Sequence, residues 1–139
     1  MTTLTTAPTT APTTAPTSAP AIAPTTFAGL AYDAFDALAV AQFWAAALRV
    51  EVAPGASRAR AELLPDDVAG LPRLVFRQVP DGRALTTPLH LQLTTADLDA
   101  ESRRLQGLGA RRLGTLSDHG RRTMTLADPE GNAFELVAA

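Results

Sequence analysis

The order of predicted secondary structure repeats within this chain, and the repeat limits the folds that are open to it. Each half reads strand, helix, strand, strand, strand. The halves are also in sequence register, because Leu38 and Leu98 stand sixty positions apart and Phe76 and Phe134 fifty-eight. One βαβββ module cannot bury its helix and its sheet face alone, so two modules must pair, in one chain or between two. The sequence therefore predicts an α+β fold made of two such modules.

The first module, residues 27–80, contains a strongly patterned helix. Apolar residues between Val40 and Leu48 fall at i, i+3, i+4, i+7 and i+8, which is typical of a helix with one buried face, and Asp36 is placed to cap it. Alternation and turn residues predict the strands around this helix. These strands are Phe27–Asp33, Val50–Val52, Ala59–Leu64 and Arg73–Val79.

The second module, residues 87–139, has two strands with polar side chains on one face. The predicted strand Pro88–Thr94 places leucines on one face and His90 and Gln92 on the other. In the last predicted strand Glu135 points away from the face that carries the large apolar side chains. Each strand therefore has one packing face and one face that could contact a ligand. A helix capped by Asp97 and the strands Ala110–Leu116 and Arg121–Ala127 complete the module.

A tight turn fixes the start of the last strand. Its residues are Asp128-Pro129-Glu130-Gly131-Asn132. Asp, Pro and Gly at the first, second and fourth positions favour a type I turn, because Asp caps its own backbone, Pro presets φ and Gly tolerates a left-handed exit.

Residues 1–26 differ from the rest of the chain. Proline recurs every fourth position from Pro8, and the segment has no charged side chain and little to bury. Because proline removes amide donors and restricts the residue before it, we expect a disordered Thr/Ala/Pro-rich tail. The tail lacks the basic start and continuous apolar segment of a signal peptide. Residues 27–139 are then one domain of ordinary size.

Composition excludes several kinds of chemistry. The chain has no cysteine, so disulfides, thiolate metal sites and cysteine nucleophiles are absent, and we expect a cytoplasmic protein. It has no lysine for Schiff-base chemistry, since all twelve basic residues are arginine. Acidic residues offset the paired arginines, and the net charge is −2, so we expect a mixed solvated surface and no nucleic-acid partner. No segment is long enough to span a membrane, and we expect no membrane partner.

Several of these segments together resemble the vicinal oxygen chelate superfamily, the glyoxalase, bleomycin-resistance and extradiol-dioxygenase group. They are Asp36 with Phe43-Trp44, Leu89-His90-Leu91, Leu108-Gly109-Ala110, and the Asp128–Asn132 turn with Phe134-Glu135-Leu136. The resemblance covers residues 27–139 and is greatest to compact glyoxalase-like domains. It implies a cupped mixed sheet built from the two modules.

In that superfamily the first and last strands of each module supply metal ligands, usually His and Glu, around one divalent cation. The second module matches with His90 and Glu135. Counted in the same way from the helix cap and the strand phenylalanine, the first module has Gly29 and Arg77, which do not suit a metal. Two protein ligands rarely hold a catalytic metal.

The working hypothesis is therefore a cup that has lost its metal, in which Arg77 and Glu135 face the same space and either neutralise each other or receive an anionic ligand. A divalent metal held by His90 and Glu135 is the alternative. A two-fold dimer could also bring two copies of both residues together. We expect a homodimer in any case, because the sheets have edges and the superfamily pairs its modules, often across chains.

Two classes of function follow from the resemblance. The first is a binding protein whose cup holds a hydrophobic or anionic small molecule, as bleomycin-resistance members do, with His90, Gln92, Arg77 and Glu135 as ligand-binding residues. The second is an enzyme, either a metal-dependent lyase, isomerase or dioxygenase that uses His90 and Glu135, or a metal-free enzyme with Glu135 as general base. The broken ligand set favours binding.

Arg49 stands directly after the first helix, at a position where the superfamily usually has glycine. Because arginine replaces glycine there, we expect a distorted helix end.

Overall fold

The computed structural model describes residues 7–12, 25, 27–79 and 89–139. Most of the tail predicted over residues 1–26, and the turn predicted at 80–82, lie outside these residues. The elements are β1 (Leu30–Ala34), α1 (Ala37–Leu48), β2 (Arg60–Leu63), β3 (Leu74–Gln78), β4 (Leu91–Thr95), α2 (Leu98–Gly107), β5 (Arg111–Asp118), β6 (Arg121–Ala127) and β7 (Ala133–Ala138). Neither helix of the described part is long and apolar enough to cross a membrane.

The first sheet has the order β1-β3-β2, with β1 parallel and β2 antiparallel to β3. The strand predicted at Val50–Val52 is reduced to a single bridge between Val52 and Leu63, followed by one hydrogen bond from the Ala53 amide to the Glu62 carbonyl. Pro54 comes next and has no amide hydrogen, so the ladder ends there.

The second sheet has the order β4-β7-β6-β5 and repeats the first with a full fourth strand. Again the module's first strand runs parallel to its last, and its other pairs are antiparallel. In β5 the register shifts between Arg112 and Gly114, so Leu113 forms a bulge. The predicted duplication is therefore confirmed, with β1, β2 and β3 corresponding to β4, β6 and β7.

One hydrophobic core serves both modules. Trp44 on α1 contacts Phe134 on β7 edge-to-face, with ring centroids 5.0 Å apart, and the Phe43 ring lies 6.3 Å from the same phenylalanine. Phe76, the counterpart of Phe134, stacks on Tyr32 in the first sheet. Because the helix of the first module packs on the last strand of the second, the modules pair within one chain.

Groups from the second module hold both ends of α1. The Glu130 carboxylate accepts hydrogen bonds from the backbone N–H groups of Phe35 and Asp36, at 2.8 and 2.7 Å. The Arg104 guanidinium donates to the carbonyls of Ala46 and Ala47, at 3.2 and 2.7 Å. An anion at the N-terminus and a cation at the C-terminus match the helix dipole and satisfy terminal backbone groups. These contacts fix the modules against each other.

The helix ends at Arg49 in the left-handed conformation, with φ 58° and ψ 42°. The amide of Val50 bonds to the Ala45 carbonyl at 2.9 Å, so the end is a regular left-handed cap. The distorted end predicted for this position is wrong: the arginine adopts the conformation that glycine adopts more cheaply.

The predicted turn before β7 is present and forms a buried polar centre. The Asp128 carbonyl accepts from the Gly131 amide at 2.9 Å, and Gly131 has φ 92°. One Asp128 carboxylate oxygen accepts the amides of Glu130 and Asn132, and the other accepts the indole N–H of Trp44 and the Nδ2 of Asn132. The turn that starts β7 is thereby bonded to α1 of the other module.

Candidate functional site

Each sheet has one face on the core and one face away from it. In β7 the fully buried Phe134 and Leu136 belong to the core, so Glu135 points to the opposite side. In β3 Leu74 and Phe76 are in the core, and Arg77 points to the opposite side by the same alternation. We call these two faces the open faces of the first and second sheets.

Across the open face of the second sheet runs a row of polar side chains. The strand register places Glu135 beside Gln92 of β4 and Thr125 of β6. The Gln92 amide nitrogen donates to a Glu135 carboxylate oxygen at 2.7 Å. Gln92 is exposed and Glu135 is half-buried. Because Gln92 is neutral, this contact leaves the carboxylate charge uncompensated and able to accept a further donor from a ligand.

His90 lies immediately before this row. The strand predicted from Pro88 begins at Leu91, so His90 precedes β4, and its side chain is exposed to solvent. Pro88 lies outside the described residues. The pairing of β4 with β7 starts at Leu91 and Phe134, which is why the ladder does not include the histidine.

Strand pairing gives the counterparts of the two candidate ligands in the first module. Leu91 is in register with Phe134, and Tyr32 is in register with Phe76. Since the two phenylalanines correspond, Tyr32 corresponds to Leu91. The residue that corresponds to His90 is then Ala31. Counting back from the helix cap reached Gly29 instead, because the first module has two residues fewer between its first strand and its helix.

These positions do not fit a divalent metal. Ala31 and Gly29 have no donor atom in their side chains, and Arg77, the counterpart of Glu135, is a permanent cation. Among the residues that the structure describes, no group of three or more His, Cys, Asp or Glu side chains could hold a metal ion. His90 and Glu135 are therefore the two protein ligands that this cup offers at the superfamily positions, fewer than a catalytic site normally has.

The sequence suggested that Arg77 and Glu135 pair with each other, but in the structure each has a different partner. Arg77 Nη2 donates to Asp33 on the neighbouring β1 at 3.2 Å, in the register where Gln92 contacts Glu135 in the other sheet. Antiparallel pairing also places Arg60 directly opposite Arg77. The open face of the first sheet therefore carries the sequence Asp, Arg, Arg across β1, β3 and β2.

A second charged group on this face was missed by sequence reasoning. Glu62 accepts two hydrogen bonds from Arg60, the shorter at 2.6 Å, and two from Arg73, the shorter at 2.7 Å. Hydrogen bonds from Arg60 and then from Arg73 lower the pKa of Glu62. Arg60 and Glu62 alternate in the predicted strand 59–64, which is the signal that could have assigned both to one face.

A cleft of about 420 Å³ lies beside this group. It is lined by residues 53–56 of the loop after the Val52 bridge, by Leu64, and by Arg60 and Glu62 of β2. Most of its lining residues are alanine, proline and leucine, but one guanidinium and one carboxylate also line it, and its exposed surface is about equally polar and apolar. The cleft thus places small apolar side chains next to the charged row.

Tyr32 lies behind this face, against the core. Burial, and secondarily the negative charge of Asp128, raise the pKa of Tyr32 to about 12. The phenol is therefore a neutral packing group at physiological pH.

Comparison with known proteins agrees with this architecture. The structure of a glyoxalase/bleomycin resistance protein/dioxygenase family enzyme from Burkholderia phytofirmans PsJN superposes with a TM-score of 0.65 at 13% identity, over 80% of this chain and 96% of that one. A genomically encoded fosfomycin resistance protein from Listeria monocytogenes gives 0.64 at 17%, over 84% and 95%. A glyoxalase-related enzyme from Fulvimarina pelagi gives 0.61 at 20%, over 82% and 88%.

At these low identities, the superpositions show that the fold is shared. No curated protein matches the chain in sequence. The sequence profile of the glyoxalase-like domain family, in contrast, matches residues 29–137, which is most of the chain. With the duplicated βαβββ modules and the parallel pairing of first and last strands, this match identifies the chain as a member of the glyoxalase-like domain family of the vicinal oxygen chelate superfamily.

Proposed function

We propose that this protein binds a small molecule on the open faces of its sheets, in a cup without a complete metal site. The observation that carries the proposal is the environment of Glu135. It is a half-buried carboxylate on the side of the sheet away from the core, and its hydrogen-bond partner among the described residues, Gln92, is neutral. Partial burial of a carboxylate costs free energy unless a further hydrogen-bond donor approaches it.

The ligand-binding residues in this proposal are His90, Gln92, Glu135 and Arg77. The first three lie at or before the parallel pair of strands in the second sheet, and Arg77 is the counterpart of Glu135 in the first. Two of the four superfamily ligand positions carry no metal donor, which supports binding through hydrogen bonds and charge.

A thermal-shift screen of small molecules and divalent metals tests the proposal, because a ligand selective for the folded state raises its apparent stability. Compounds that stabilise the wild-type protein should stabilise Glu135→Gln less. Asp67→Asn, at an exposed position of the loop between β2 and β3, is the matched control and should behave like wild type. Hits that affect wild type and Glu135→Gln equally would contradict the assignment of the site.

Metal analysis of the purified protein is the second test. We expect substoichiometric Mn, Fe, Ni and Zn. Near-stoichiometric metal that is lost in His90→Ala would overturn the metal-free cup and favour a metal-dependent enzyme that uses His90 and Glu135.

The homodimer expected from the sequence also remains part of the proposal. Light scattering after size-exclusion chromatography measures it directly, and a monomer at micromolar concentration would contradict it.

A further inference from the structure

Two arginines on the open face of the first sheet are placed against each other without a carboxylate between them. Arg60 and Arg77 are directly opposite across the antiparallel pair β2–β3. Like charges in such positions destabilise a sheet. The carboxylates that contact the pair lie to its sides: Asp33 is on β1, 3.2 Å from Arg77, and Glu62 is two residues along β2, 2.6 Å from Arg60.

The charged side chains that contact Arg60, Arg73 and Arg77 on this face, among the described residues, leave a net positive charge. Glu62 is shared between Arg60 and Arg73, and Asp33 contacts Arg77. Among these described side chains there are thus three guanidinium groups and two carboxylates. The corresponding row of the second sheet, which consists of Gln92, Glu135 and Thr125, has one negative charge instead.

Both arginines keep hydrogen-bond donors that the described contacts do not use. Arg77 donates through Nη2, and its side chain is 55% exposed. Arg60 donates through Nε and Nη2 to a single oxygen of Glu62. Because a guanidinium has five N–H donors in a planar fork, two neighbouring arginines can bind the oxygens of one carboxylate, phosphonate or sulfate group.

The cleft beside Arg60 provides room for the rest of such a ligand. Its volume is about 420 Å³, and the loop residues 53–56 and Leu64 give it apolar walls. A ligand whose anionic group lies at the arginines would therefore extend into a cleft with apolar side chains on its loop side.

We propose that Arg60 and Arg77 form the anion-binding subsite of the cup, and that the ligand class is a small organic anion with an apolar body that lies in the cleft at residues 53–56. This assignment rests on the proposed small-molecule function and names its ligand class. The row at Glu135 repels an anionic group, so the anionic end belongs to the first module.

Titration with benzoate, phenylphosphonate and neutral benzamide, followed by NMR chemical shifts, tests the assignment. We expect both anions to bind wild type more tightly than benzamide. Arg77→Gln and Arg60→Gln should each weaken anion binding about ten- to hundredfold, the range for a hydrogen bond to a charged group. Benzamide binding should change little. Arg111→Gln, at an exposed position of β5, is the matched control and should bind like wild type.

The folded state of each variant is checked by circular dichroism. Should Arg77→Gln not fold, Arg77→Lys replaces it: it keeps the charge and loses the planar fork, and binding of the anions should still weaken. Anions that bind all variants equally, or that bind no better than benzamide, overturn the inference.

Failure of this inference is distinguishable from failure of the proposed function. Neutral compounds whose binding depends on Glu135 and not on Arg60 or Arg77 would leave the proposed function in place and overturn the anion subsite. A screen in which compounds of either charge fail to bind the wild-type protein would overturn both.

Discussion

Replacing Asp128 with asparagine should destabilise the fold by about 3 kcal/mol, although the two side chains have nearly the same shape. The carboxylate is 3% exposed and accepts four hydrogen bonds. One oxygen accepts two backbone amides, at 3.0 and 2.9 Å, and the other accepts the Trp44 indole and the Asn132 amide nitrogen, at 3.0 and 2.9 Å. All four partners of the carboxylate are donors.

An asparagine cannot satisfy this arrangement in either orientation. Its oxygen can accept one pair of donors, but its NH₂ group then faces the other pair. If that pair is Trp44 and Asn132, the Asn132 amide can turn over and accept, and the indole N–H is left without an acceptor. Each unsatisfied buried donor costs about 1–3 kcal/mol, and the remaining bonds lose their charged acceptor, so the total is about 2–6 kcal/mol. The estimate of about 3 kcal/mol lies in the lower half of this range because the turn can relax.

Equilibrium unfolding in urea, followed by far-ultraviolet circular dichroism, measures the effect. Fluorescence of Trp44, the single tryptophan of the chain, reports the same site independently. Asp67→Asn, an exposed Asp-to-Asn change, is the control and should lie within about 0.5 kcal/mol of wild type. The double variant with Trp44→Phe should lose less stability than the sum of the single variants, since one facing donor is removed. An Asp128→Asn protein as stable as wild type would refute the reasoning.

Three further predictions concern conformation and pH. Arg49→Gly should raise the free energy of unfolding by about 0.5–1 kcal/mol in the same urea assay. An arginine at φ 58° is strained by about 1–2 kcal/mol, and glycine relieves this strain but loses more chain entropy on folding, which offsets part of the stabilisation. A less stable variant would contradict this. Tyr32, the single tyrosine, should ionise with a pKa of about 12 in the folded protein and with its ordinary pKa of 10.0 in urea. The stability that the neutral phenol contributes below pH 10 should therefore be lost as pH rises toward 12. Equal midpoints of the folded and unfolded protein in an absorbance titration would show the phenol to be solvated. Arg104 lowers the pKa of Glu101 below its ordinary value of 4.5. The ionised carboxylate therefore stabilises the fold above that pH, and the effect is lost as pH falls through the lower folded value. Glu101→Gln should flatten the loss of stability below pH 4.5, and an unchanged slope would argue against this.

The sequence alone was sufficient for the elements that depend on local physics. The helix at Ala37–Leu48 begins after the predicted Asp36 cap and has the predicted buried face, because its cap and its apolar spacing act within a few residues. The turn at Asp128 follows from residues whose conformational preferences do not need the rest of the chain. The duplication could also be seen, since Phe76 and Phe134 occupy matching core positions.

The partners of the polar side chains depended on the tertiary structure. Strand register decides which residues stand side by side, and register depends on loop lengths and on the whole sheet. Register places Asp33 beside Arg77 and Gln92 beside Glu135. It also makes Ala31 the residue of the first module that corresponds to His90. Pairings across tens of residues leave no mark in local composition, so alternation places a residue on a face of a sheet but cannot name its neighbour on the next strand.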